Sequence, residues 1–153
     1  MMQRRSFLEL AAAGVAVLAG SVLRPGATRA AENLGFEEMY KAGGILGLEM
    51  SDKLRGLSGK SVEISGYMAP PLKAEAGFFV LTREPVSLCP FCNSDADWPS
   101  DIIVVYLRDG VRYTQTNHAI LVSGTLEIGS KLDAKTGFVS LVRLIDADYR
   151  SIA

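Results

Sequence analysis

The chain reads as mainly β: a small five-stranded OB-like antiparallel barrel preceded by a short helical flap. Three observations predict this. From Lys60 onward, short apolar runs recur between Gly, Pro and Asp breaks, a rhythm that favours an antiparallel barrel or sandwich. The first run carries a glycine at its centre, as a coiled strand that turns a barrel corner does. The last two runs follow each other as a fourth-to-fifth hairpin, the arrangement of a small closed sheet.

Residues 1–30 read as an export leader rather than as part of the fold. A basic start at Arg4-Arg5 precedes an apolar run from Leu10 to Leu23, and small residues at Thr28 and Ala30 mark a cleavage point. The apolar run has 14 residues, short of the ~20 that span a bilayer, so no stable anchor is expected after cleavage. Arg4, Arg5, Phe7 and Leu8 resemble the recognition element of a twin-arginine signal, with Gln3 and Glu9 departing from its usual form. An ordinary secretory signal with two arginines is the plainer reading. The twin-arginine reading implies the twin-arginine export machinery as partner, a periplasmic location and export in the folded state. No cysteine lies near Ala30, which excludes lipid attachment there.

Cleavage after Ala30 leaves 123 of the 153 residues, a normal size for one domain. Residues 31–59 form the expected flap. Asn33 is placed to cap a helix with Phe36, Met39 and Tyr40 on one face and Gly43-Gly44 at its end, and a second short helix begins near Ser51. Residues 60–153 form the barrel. Its strands are expected at 61–68, with Val62, Ile64, Gly66 and Met68 on one face, then at 77–82, 101–107, 118–128 and 137–146. Several are apolar on both faces, so the outside needs cover as well, which the flap could supply. Gly66 and Gly124 each follow a serine in mid-strand, where an isolated glycine marks a bend or bulge. The helix usual between the third and fourth strands of an OB-fold is not expected, because Arg108 to Asn117 is short and polar.

The run Leu57-Ser-Gly-Lys-Ser-Val-Glu-Ile-Ser-Gly-Tyr-Met-Ala-Pro70 resembles the opening of a family of small exported bacterial proteins of unknown function. Phe78–Leu81, a cysteine loop, Asp101–Val105 and Val122–Leu126 continue the likeness through most of the chain after residue 30. The resemblance implies an OB-like, periplasmic and non-enzymatic protein. It also implies a partner in an ABC-type envelope transport system or in metal homeostasis.

Ser87 to Trp98 offers the richest chemistry, with both cysteines and the single tryptophan. Cys89-Pro-Phe-Cys92 is half of a zinc tetrahedron, which His118, Asp95 and Asp97, or a second copy of the chain, would complete. The same spacing serves a thiol–disulfide redox pair, with Cys89 attacking and Cys92 resolving. A thioredoxin-like helix has no room between Asn93 and Pro99. The third reading is a plain disulfide, which would stabilise a loop this small by roughly 2 kcal/mol. Trp98-Pro99 with Phe91 forms either an aromatic wall or a buried anchor for the loop. Asp95, Asp97 and Asp101 lack the Gly and terminal Glu of an EF-hand and read as a solvated acidic turn.

Other classes are not supported. After residue 30 the chain holds 12 basic and 16 acidic residues, a balance that argues against a nucleic-acid partner. With one histidine and no Gly-x-Ser-x-Gly or P-loop spacing, hydrolase, kinase and dinucleotide chemistry have no carrier, and no catalytic residue is assigned. Zinc is the cofactor that the pattern admits.

Overall fold

The computed structural model describes residues 30–42, 48–71, 77–87, 98–112 and 114–152. The fold is mainly β, with one sheet of six strands and little helix. In chain order these are β1 (Glu32–Asn33), a single 3-10 turn (Phe36–Glu38), α1 (Asp52–Leu57), β2 (Ser61–Met68), β3 (Phe78–Thr82), β4 (Ile102–Leu107), β5 (Ile120–Leu132) and β6 (Val139–Ser151). Among the described residues no helix is long and apolar enough to cross a membrane.

β2 alternates as its sequence predicts, with Val62, Ile64, Gly66 and Met68 all buried. Its first part pairs antiparallel with β5, from Ser61–Thr125 to Gly66–Ile120, and its last part pairs antiparallel with β3 at Tyr67–Thr82 and Met68–Leu81. Gly66 is the handover between these neighbours. A Cβ there would stand 2.5 Å from the Thr82 carbonyl oxygen, so only glycine lets the strands approach this closely.

The strand order is β1-β2-β3-β4-β6-β5, and β5 pairs again with β2. Five strands are therefore too few. The sixth, β1, is two residues long, too short for any periodic signal, and it runs parallel to β2 at Glu32–Val62 and Asn33–Glu63. Nor is the sheet wholly antiparallel. The chain leaves β4, crosses to β5 beside β2, and returns as β6, which therefore enters alongside β4 in the same direction.

β6 continues past Asp146, where the sequence pattern placed its end. The register with β5 jumps between Ser123 and Thr125, so that Asp146 and Ala147 both face Gly124. The pairing with β4 skips at the same level, from Val105–Leu144 to Leu107–Ala147. This is a β-bulge, and Asp146 takes the left-handed conformation with φ of 51°. Aspartate tolerates that region better than most residues, which lets β6 bend without a glycine.

Residues 31–59 hold less helix than expected. Asn33 ends β1 instead of capping a helix, and the turn at Phe36 starts from Gly35, whose N–H donates to Glu38 Oε2 at 2.9 Å. α1 does start from Ser51, whose Oγ accepts from Leu54 N at 3.0 Å. Leu34, Phe36, Met39, Leu54 and Leu57 are buried in the same core as Ile64, Leu81, Ile103, Val122 and Leu144. Every residue of β3 is buried, so both its faces are covered. Part of that cover comes from the β5–β6 hairpin rather than from residues 31–59, because Phe138 packs on Phe78 at 5.5 Å between ring centroids. Arg143 is buried in β6. Its Nε donates to Glu127 Oε2 at 2.7 Å and its Nη1 to the Gly129 carbonyl at 2.8 Å, which clamps the second register shift of the hairpin.

Candidate functional site

The connection between β3 and β4 carries the residues that the sequence singles out. Cys89, Cys92, Asp95 and Asp97 lie outside the described residues, as do Arg4, Arg5, Phe7 and Leu8 of the expected leader. What the structure describes is the frame around that connection.

The frame has two ties. At its neck, Arg83 N donates to the Asp101 carbonyl at 3.0 Å, continuing the β3–β4 ladder one step beyond Thr82–Ile102. Thr82 supports the turn, its buried hydroxyl bonding to the Glu84 carbonyl at 2.6 Å. The second tie is Trp98, which is 4% exposed and whose Nε1 donates to Tyr40 Oη at 2.8 Å. Trp98 is thus a buried anchor rather than an exposed aromatic wall. Tyr40 is held in place by its bridge to Met50, beside the Ser51 cap of α1. Burial pushes the Tyr40 hydroxyl up to about 12, against the smaller opposite pull of the Trp98 hydrogen bond. The phenol is therefore neutral over the physiological range and accepts from the indole.

The sequence marked Trp98 but not its partner. Tyr40 stands 58 residues away, and its spacing with Phe36 and Met39 read as a helix face. No local pattern connects the two.

His118 is exposed on the β4–β5 connection, where its N–H donates to Thr116 Oγ1 at 3.1 Å. That connection is pinned by Tyr149, whose hydroxyl accepts from Thr114 N at 2.9 Å, and by Gln115 Nε2, which donates to the Met68 carbonyl at 3.2 Å. Among the described residues no three His, Cys, Asp or Glu side chains converge on a point. Asp101 joins the neck through its backbone.

Polar hollows lie elsewhere. One of about 340 Å3, lined by Ser61, Arg108, Thr125, Asp146 and Asp148, opens beside the β6 bulge. Arg108 and Asp148 pair across it at 2.5 Å with both side chains about half exposed, where an ion pair contributes little.

No family model matches the chain, and no curated protein matches it. Among solved structures it is similar to a DUF3299 family protein from Pseudomonas aeruginosa PAO1, with a TM-score of 0.53 and 16% identity over 81% of this chain and 97% of that one. At this identity the likeness is one of fold. It agrees with the resemblance to small bacterial proteins of unknown function.

Proposed function

We propose that this chain is an exported binding or accessory protein of the periplasm, non-enzymatic, whose working part is the β3–β4 connection with Cys89 and Cys92. The observation that carries this reading is the double tie on that connection, Arg83 to Asp101 and Trp98 to Tyr40. A loop with no regular secondary structure predicted for it is thereby given a fixed neck and a fixed exit on a rigid sheet, as a preorganised ligand or metal site needs. The run of pairings β2–β3–β4–β6–β5 and back to β2, with β2 shared through Gly66, supports an OB-like barrel as its scaffold. The exposure of Ala30 supports a leader that a folded domain can carry through the twin-arginine route.

In this reading Cys89 and Cys92 are thiols in the cytoplasm, where they take up zinc before export into an oxidising compartment. An ABC-type envelope transport system is the partner. Native intact mass with and without a chelator, combined with a free-thiol count, tests the assignment. A zinc mass that leaves with the chelator and exposes both thiols supports it. A metal-free chain two protons light, resistant to mild reductant, sinks it in favour of a structural disulfide.

A further inference from the structure

The export leader, as read from the sequence, is joined to the fold with almost no spacer. Its expected cleavage bond lies between Ala30 and Ala31, and Glu32 is already in β1. β1 pairs with β2 at Val62 and Glu63, and the next residue continues the ladder, with Leu34 N donating to the Glu63 carbonyl at 2.9 Å. From there the chain is fastened, with Leu34 at 1% exposure, Phe36 at 6% and Met39 fully buried. Glu32 and Asn33, by contrast, are exposed and bury nothing.

A peptidase binds its substrate as an extended strand on both sides of the bond it cuts, through the backbone groups that a docked strand has already committed. On the far side of Ala30 the first two residues are Ala31 and Glu32, the second of them paired. We infer that β1 is a strap that must peel from β2 before the leader can be removed, so that its docking sets the rate of maturation. Leu34 sets the limit of peeling. The two exposed strand residues separate at the cost of a few strand hydrogen bonds, whereas withdrawal of Leu34 would also open the core. Cleavage adds one water across the Ala30–Ala31 amide, leaving a carboxylate on Ala30 and an ammonium on Ala31. The agent is a leader peptidase of the envelope. The inference rests on the export reading proposed above.

The test uses the folded full-length precursor and purified leader peptidase in detergent micelles, with cleavage followed by mass. Inserting Gly-Ser-Gly-Ser between Ala31 and Glu32 separates the bond from the strap and is expected to speed cleavage about tenfold, the scale of a few strand hydrogen bonds. Glu32→Val, which strengthens β1, is expected to slow it several-fold in the folded precursor. In free synthetic peptides of residues 1–38, with and without Glu32→Val, the two rates are expected to match. Cleavage of the peptides together with equal rates for all folded precursors overturns the strap. Failure of the peptidase to cut the peptides at all overturns the export reading itself, a separate outcome.

Discussion

Removing one oxygen from Tyr40 tests the frame of the β3–β4 connection. Tyr40→Phe keeps the ring and its packing but leaves the indole N–H of Trp98, buried at 4% exposure, without the acceptor it has at 2.8 Å. An unsatisfied buried donor destabilises by about 1–3 kcal/mol. For a domain of this size that lowers the thermal midpoint by on the order of 3–10 °C. The same substitution has a signature in alkali. Tyr40 titrates at about 12 in the folded chain against 10.0 ordinarily, because burial disfavours the phenolate. Below pH 10 both states keep the proton and the stabilisation is fully present. Between 10 and 12 the unfolded chain releases its proton while the folded chain holds it, so stability falls as pH rises through that window. A shift of two units corresponds to about 2.7 kcal/mol, which the partial exposure of the ring reduces to roughly 1–2 kcal/mol. Urea unfolding followed by the fluorescence of the single tryptophan at pH 8, 10 and 11.5 reads both effects. Wild type should lose more stability than Tyr40→Phe across the alkaline steps. A neutral substitution at pH 8 together with an unchanged alkaline slope would refute the second tie.

Four further substitutions probe the scaffold by thermal or urea unfolding. Gly66→Ala forces a Cβ to 2.5 Å from the Thr82 carbonyl and should destabilise by about 2–4 kcal/mol. By contrast Gly56→Ala, inside α1 with nothing within 4 Å of the new atom, should stabilise by about 0.5–1 kcal/mol. Glu127→Gln leaves the buried Arg143 guanidinium without its counter-charge and should lose about 2 kcal/mol, less than Arg143→Ala, which also abandons the Gly129 carbonyl. Equal losses for these last two would show that the carboxylate, rather than the bulge contact, carries the clamp.

Much of the sheet was legible because its signals are local. Alternation in 61–68 placed Val62, Ile64, Gly66 and Met68 inward, and the two mid-strand glycines fell where β2 changes neighbour and where β6 bulges. What the sequence hid depends on contacts made elsewhere. A two-residue strand such as β1 has no period, and its register is set by Leu34 entering the core. The parallel direction of β6 beside β4 follows from where β5 lies, which an alternating pattern does not encode. Asp146 looked like a strand end because aspartate is rare in strands, yet there it carries the bulge that lets the strand continue. At the candidate site, Trp98 stood out as the single tryptophan, whereas Tyr40 was one aromatic among several. Cys89 and Cys92 are found from sequence alone, and the frame that holds their loop is found from structure alone.

The zinc-edge X-ray absorption spectrum of the purified protein reads directly whether Cys89 and Cys92 hold a metal. One zinc per chain is expected, with two sulfur neighbours at about 2.3 Å and lighter ligands at about 2.0–2.2 Å. A protein without a zinc edge, or with a shell of oxygen alone, would contradict it.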